Sequence, residues 1–385
     1  MRSCRTGELS DLPRGTLNNS DISRRPARTS PGGSAAPHPA AELARVFARQ
    51  GRGCTELGSP LWGRMLQDAA ADIAAGGPTL ALIGDWNGDI ELGALALRVA
   101  GGLHYLALSG RAPALAMLLP SCGGVADEER IGATALEVVR AQAGELRPFL
   151  DSPPQTNEVG RSCALMPGML EIARVTGLPL RPREIGSSAG LNQFWDRFAY
   201  RLGPHAWNDG GSELTLECRW KGGAPPLGER PVVSSRAGCD INPLDLRQEE
   251  VRLRLQAYVW PDQERRMANL RAAMKIALEN DVAVEKIAAS RFVARELARR
   301  PDGECIVVYH SIVRQYFPDD EGRAFDHAIA EAGAAATKDR PVAWLRLEQD
   351  APAQPFELRL TLWPGGETRV LAMAHPHGAS VKWLA

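Results

Sequence analysis

Hydrophobic positions in the first half of the chain recur at helical spacing. Leu43, Val46 and Phe47 form one stripe, and Leu61, Met65 and Leu66 form another behind Ser59-Pro60, an N-cap residue followed by a proline in the first turn. The stretch 127–150 continues the pattern through Ile131, Leu136, Val139 and Leu146. A further helix is predicted from about 158 to 175, stopped by Gly177-Leu178-Pro179. With Gly and Pro breaks between them, these segments read as a helical N-terminal domain over 39–180. After residue 180 the texture changes. Short β-like runs at 181–186, 231–239, 282–286, 304–310 and 341–347 alternate with helical stretches at 247–258, 263–278 and 323–334. Strands alternating with helices imply βαβ crossovers and a mainly parallel sheet. The last two runs, 356–363 and 368–374, flank Pro364-Gly365-Gly366 and read as an antiparallel hairpin.

Five parallel strands closed by such a hairpin give the outline of a class I methyltransferase sheet. The expected fold is therefore α/β: a Rossmann-like, doubly wound domain over 181–385, preceded by the helical domain, which would act as a lid. Residues 201–230, strand-like at 213–220, look like an insertion between the first helix and the second strand. Residues 1–38 are rich in Ser, Arg, Pro and Gly without apolar periodicity, and are expected to be a disordered extension.

Composition narrows the function classes. The chain has 385 residues, 44% hydrophobic and 24% charged, as in ordinary globular proteins. Lys plus Arg number 45 against 46 Asp plus Glu, a formal net charge of -1. That balance gives no strong nucleic-acid signal and none for an anionic membrane, both of which call for a concentrated basic excess. The best apolar run, 92–108, is broken by Arg98, Gly101, Gly102 and His104, which argues against a membrane span. The seven cysteines are scattered and never in C-x-x-C spacing, so reduced thiols in a cytoplasmic protein are expected. The N-terminus has no apolar core of a secretory signal.

The densest chemical string is Arg183-Glu184-Ile185-Gly186-Ser187-Ser188-Ala189-Gly190-Leu191-Asn192. It falls between a strand and a helix pattern, at the carboxyl edge of a parallel sheet, where a nucleotide-type ligand sits. The chain must turn sharply at Gly186, and a bulky side chain at Ser188 or Gly190 would block the ligand and the close helix contact. Glu184 can accept a hydrogen bond from a ligand amine. The same residues fit G-x-S-x-G, the nucleophile elbow of α/β-hydrolases. Ser188 would then be the nucleophile, with Asp240 or Asp302 and His310, His375 or His377 completing a triad. Against this, the upstream region is helical rather than stranded, and no HGGG-type oxyanion segment is present.

Asp240 stands at the expected end of the second parallel strand, where an acid can take both ribose hydroxyls of a nucleoside. The gap from the glycines is much longer than the ~20 residues of a dinucleotide fingerprint, which favours S-adenosylmethionine over NAD. Alternatively, Asp240 and Asp245 cap or pin a turn before the helix near Arg247. At the exit of the fourth parallel strand, His310 is a candidate base and Tyr316 a candidate substrate-positioning group, although a histidine simply bonded at a strand end is the plainer account. Gln155, Asn157, Glu158 and Arg161 form a polar run entering the predicted helix, with Asn157 a candidate N-cap and the group a candidate lid over the pocket. His375-Pro376-His377 lacks a third ligand at useful spacing and reads as a turn, so no metal is expected. The pairs Arg265/Arg266 and Arg299/Arg300 read as solvated helix faces.

Taken together, Gln155-Thr-Asn-Glu158, Arg161, Glu184-Ile-Gly, Ser188-Ala-Gly-Leu-Asn192, Asp196-Arg197, Asp240 with Pro243, Tyr258-Val-Trp-Pro-Asp262 and His375-Pro-His-Gly378 resemble one family. It is the uncharacterised bacterial family catalogued as domain of unknown function 2332, and the resemblance runs from about residue 43 to the C-terminus. It supplies no established activity. It implies a bacterial, cytoplasmic protein with a methyltransferase-type Rossmann core. Two features depart from a methyltransferase fingerprint: Ser188 replaces the middle glycine, and the fourth strand ends in Tyr-His-Ser. The leading expectation is an S-adenosylmethionine-binding enzyme acting on a small molecule, with Glu184, Gly186, Ser188, Gly190, Asn192 and Asp240 holding the cofactor. An esterase built on Ser188 and a non-catalytic ligand-binding protein remain the alternatives.

Overall fold

The computed structural model describes residues 38–89, 93–208, 210–351 and 354–385. Apart from His38, the extension expected at 1–38 lies outside them. The first helices are α1 (Ala40–Glu56), α2 (Pro60–Ala74), α3 (Pro78–Ile83), α4 (Leu95–Leu108), α5 (Pro113–Ala116) and α6 (Ile131–Leu150). Their apolar stripes meet in one core containing Phe47, Trp62, Ile73, Leu106 and Ile131. Ser59 does not cap α2 with its own side chain. Its hydroxyl instead donates to Asp262 at 2.6 Å, and Asp262 also accepts the Leu61 N–H at 3.1 Å. A carboxylate placed by tertiary folding does the capping, and its charge suits the positive helix end.

Helix α7 (Ser162–Thr176) is buried at every position from Ser162 to Ala173, as its nearly all-apolar circumference requires. It packs against the sheet rather than against the earlier helices, and its side chains join the sheet's core. Gly177 closes it in the left-handed conformation, at φ +65°.

The sheet contains β1 (Leu180–Ile185), β2 (Ala199–Leu202), β3 (His205–Trp207), β4 (Thr215–Lys221), β5 (Ala237–Asp240), β6 (Val284–Lys286), β7 (Cys305–Ser311), β8 (Val342–Glu348), β9 (Phe356–Trp363), β10 (Glu367–Ala374) and β11 (Ser380–Trp383). Their order is β3-β2-β4-β11-β10-β9-β8-β7-β1-β5-β6. The block β6-β5-β1-β7-β8 is parallel, and β8 to β11 run as an antiparallel meander. Helices α8 (Glu249–Ala257) and α9 (Glu264–Glu279) link β5 to β6, α10 (Ala289–Ala298) links β6 to β7, and α11 (Asp319–Ala334) links β7 to β8. The molecule is thus a mixed α/β protein around a large, mostly parallel sheet. Strand β7 shows why both faces are covered: Cys305, Val307 and Tyr309 enter the core shared with α7, while Ile306 and Val308 enter the core shared with α10 and α11.

Three local expectations are corrected. No α-helix follows β1; a 3₁₀ helix, Leu191–Arg197, runs directly into β2, with Leu191, Phe194 and Trp195 buried in the sheet core. The second parallel strand is Ala237–Asp240, shorter than the expected 231–239. Its upstream part pairs with β1 through a Leu180–Val233 bridge alone, with the register slipping by one residue across Pro182, which has no N–H to give the ladder. The insertion begins at Ala199 rather than 201 and supplies β2, β3 and β4. These join the main sheet because β4 pairs with the unforeseen β11.

A candidate ligand site at the carboxyl edge of the sheet

Glu184 lies next to the end of β1, opposite Gly238 of β5 and Tyr309 of β7. Beyond it the chain turns at Gly186 (φ +66°), and Ser188 adopts φ +54°, a left-handed conformation that costs a non-glycine residue about 1 kcal/mol or more. The turn is stitched to the exit of β5. Ser187 donates its N–H to the Cys239 carbonyl at 3.0 Å, Ser188 donates its N–H to Asp240 Oδ2 at 2.9 Å, and Leu244 donates its N–H to the Ser188 carbonyl at 3.1 Å. The other carboxylate oxygen of Asp240 accepts the Asn242 N–H at 2.8 Å. Asp240 therefore pins two turns at once. Asp245 holds its own turn separately, accepting from Arg247.

Two buried polar atoms of this turn have no hydrogen-bond partner, Glu184 Oε2 and Ser188 Oγ. Burial pushes the Glu184 carboxyl up to about 8; the Ser187 hydroxyl works against that shift, and the Asp240 charge adds to it. No histidine hydrogen-bonds Ser188 Oγ among the described residues.

The polar run 155–161 crosses the edge of three strands as a strap. Gln155 donates to the Asn242 carbonyl at the β5 exit, at 2.8 Å. Asn157 accepts the Leu191 N–H at 2.9 Å, and the Glu158 carbonyl accepts from Asn192 at 3.3 Å, both behind the β1 turn. Arg161 donates to the Ser311 carbonyl at the β7 exit and to the Pro376 carbonyl, each at 3.0 Å. Asn157 is accordingly not an N-cap. Glu158 caps the short 3₁₀ helix Val159–Arg161, accepting the Gly160 N–H at 3.2 Å.

The strap is locked from the far side by the turn His375-Pro376-His377-Gly378. A Cβ on Gly160 would strike the His377 carbonyl, and one on Gly378 would strike Gly160, so both close approaches need glycine. Glu158 pairs with Arg266 and lies 3.3 Å from His377 Nδ1. Its burial favours the neutral acid, but Arg266, His377 and Arg161 together outweigh that and hold it down at about 2. His375 is pushed down to about 4 by burial, with His377, Arg219 and Arg266 adding repulsion. Arg266 is thus no solvated helix-face residue, because its α9 position points into this cluster.

The two candidates from β7 fare differently. His310 is buried, with Nδ1 at 2.7 Å from Glu348 Oε1 and Nε2 accepting from Trp344 at 3.0 Å. Both ring nitrogens are occupied, on the face toward α11, where the ring packs edge-on against Phe325. Glu348 also takes the Val313 N–H at 3.1 Å, so this pair props the turn after β7. Tyr316 is 71% exposed. Sequence reasoning missed Arg266, Ser311 and Glu348, since a backbone carbonyl and lone charged residues on distant elements carry no local signal.

Two cavities border the strap and the turn. One of about 20 Å³, room for a single water, is lined by Asn157, Glu158, Tyr258, Arg266 and Asn269. The other, about 320 Å³, lies beyond Ala189 and is lined by Leu244, Asp245, Leu278, Val282 and Val284.

The sequence model of a bacterial family described as "Uncharacterized protein conserved in bacteria (DUF2332)" matches residues 44–383. The chain belongs to this family. No curated protein and no solved structure matches it. In this DUF2332 chain the strap, the β1 turn, the segment 258–262 and the turn 375–378 are brought together in one place. Among the described residues, no helix is long and apolar enough to cross a membrane.

Proposed function

We propose that this protein binds S-adenosylmethionine at the carboxyl edge of β1 and transfers its methyl group to a small molecule. The observation that carries this reading is the pair of buried, unpartnered atoms Glu184 Oε2 and Ser188 Oγ in one turn, since polar groups are rarely left unsatisfied without a ligand or water to meet. The parallel order β6-β5-β1-β7-β8 supports a Rossmann-like core, in which ligands bind where connections leave the first strand in opposite directions. That place is between β1 and β7, beside Glu184.

The residues present fit such a ligand. Glu184 Oε2 has lone pairs for an ammonium group. Each Asp240 oxygen accepts one backbone N–H, which leaves acceptor capacity for ribose hydroxyls. The cofactor, when bound, supplies an already activated methyl donor. The chain's own part is to position both partners and keep water out, work suited to a strap tied to three strand ends. Gln155, Asn157, Glu158 and Arg161 hold that strap, with Asn192 beneath it. Gly186 and Gly190 let the backbone turn. His310 serves as a prop for the β7 exit in this reading, and Tyr316, exposed just after β7, is the substrate-positioning group. Against the esterase alternative, no histidine hydrogen-bonds Ser188 Oγ among the described residues.

Isothermal titration with S-adenosylmethionine, S-adenosylhomocysteine and NAD tests the reading. Heat from the adenosyl pair and none from NAD is expected. Clear NAD binding with silence from both adenosyl ligands overturns it.

A further inference from the structure

Two carboxylates of the described chain are buried to the same degree, Glu171 and Glu184, each 4% exposed. Glu171 has two cations. Arg174 reaches both of its oxygens at 2.8 and 2.9 Å, and Arg369 adds a third contact at 2.9 Å. Glu184 has none within 4.0 Å among the described residues, and its Oε2 makes no hydrogen bond at all. Four further partly buried acids are also matched: Glu158 with Arg266, Asp196 with Arg236, Glu296 with Arg183 and Glu348 with His310, whereas Asp240 meets backbone N–H groups. A buried carboxylate without a counter-charge is unfavourable, and it escapes by taking up a proton.

We infer that Glu184 carries a proton while the turn is empty and surrenders it to solvent when an organic cation arrives. Cation binding at this site is therefore coupled to release of one proton. This rests on the adenosyl reading for the identity of the ligand, whose ammonium and sulfonium are the cations concerned. The balance is simple: the O–H bond of the carboxyl breaks, the proton leaves to buffer, and the carboxylate pairs with the incoming cation. The groups facing Glu184 set the coupling. From the strand side come Asp240 at the end of β5, which opposes ionisation, and the Tyr309 phenol, held neutral by burial. From the strap comes Arg161. It assists ionisation, but its guanidinium is spent on the Ser311 and Pro376 carbonyls. Burial outweighs Arg161, and the carboxyl stays neutral into the mildly alkaline range. A ligand cation supplies the missing partner.

Titration calorimetry of the full chain near neutral pH, run in phosphate and in Tris, counts the protons exchanged. S-adenosylmethionine is expected to release close to one proton, and adenosine, which shares the nucleoside but has no cation, to release none. Glu184→Gln should abolish the release. Binding of S-adenosylmethionine with no buffer-dependent heat overturns the coupling and leaves the adenosyl reading standing. Silence from both ligands overturns the adenosyl reading instead, and carbon NMR of the free protein then decides the proton. A Glu184 carboxyl signal, identified by its loss in Glu184→Gln, that titrates in the ordinary acid range overturns the inference, and one that titrates only above neutrality upholds it.

Discussion

Ser188 gives its backbone N–H to the Asp240 carboxylate at 2.9 Å, and this one bond ties the turn after β1 to the end of β5. It spans strands that are neighbours in space although the insertion β2 to β4 separates them in the chain. Asp240→Ala leaves the Ser188 and Asn242 N–H groups without their acceptor, and should lower stability by about 1–3 kcal/mol in urea unfolding and weaken adenosyl-ligand affinity with it. Asp240→Asn keeps a carbonyl acceptor and should lose less of both. Equal losses in the two variants would show that the charge, rather than the bond, holds the turn.

Ser188 sits at φ +54°, so Ser188→Gly should relieve backbone strain of about 1 kcal/mol and raise the melting temperature slightly. Adenosyl-ligand binding should weaken, because the unpartnered Oγ offered to the ligand is lost, without disappearing. Wild type should resist a fluorophosphonate probe, because no histidine activates the hydroxyl. Labelling that disappears in the glycine variant would restore the esterase reading.

The strap residues bond mainly to backbone carbonyls and N–H groups. Asn157→Ala strands the buried Leu191 N–H and should cost about 1–3 kcal/mol. Arg161→Ala should add to that loss and weaken ligand binding, since it frees the β7 exit from the strap. Calorimetric melting and ligand titration of the single and double variants check this. A double variant that melts like wild type would mean the strap is already open in solution.

Glu184 adds a pH signature. Its folded-state pKa, about 8, lies above the ordinary carboxyl value of 4.5, so its contribution to stability is complete below 4.5 and is lost as pH rises from there through about 8. Glu184→Gln, neutral at every pH, should therefore gain on wild type as pH rises over that window, by roughly 1.4 kcal/mol per pH unit at most. Parallel stability curves for the two proteins would show that Glu184 titrates normally.

The opposite dependence belongs to Glu158, held at about 2, and to His104 and His375, both held at about 4. Burial keeps His104 neutral, with Nδ1 at 3.0 Å from the Ala257 carbonyl and Nε2 at 2.7 Å from Ser121 Oγ. These groups stabilise the fold above their unfolded values. Stability should fall as pH drops from about 6.5 to 4 through the histidines, and further toward 2 through Glu158. Denaturant titrations across that range should show both phases. His104→Gln should flatten the first.

The local spacing of apolar residues determined a good deal: the stripes of α1, α2 and α6, the largely apolar α7, the alternation of strands and helices after residue 180, and the β9–β10 hairpin around Pro364-Gly365-Gly366. Side-chain period and turn chemistry act over a few residues, so they are legible in the chain alone. The clustering of polar residues at 155–161 and 184–192 was legible too, as were the family-marking motifs. What those residues touch was not. Asp262 caps α2 in place of Ser59, Arg266 reaches from α9 to Glu158, and Arg161 spans from the strap to β7. Each depends on a partner distant in sequence, and no periodicity encodes such pairings. The 3₁₀ helix after β1 formed where an α-helix was expected, because burying Phe194 and Trp195 against α7 and α9 outweighed a weak local preference. The four-residue β11 became a strand only by finding β10 and β4 on either side. Glu184 makes the point most sharply. Its sequence neighbours say that an acid precedes a glycine turn, and only the packing around it decided that, among the described residues, it has Asp240 as a neighbour and no cation as a partner.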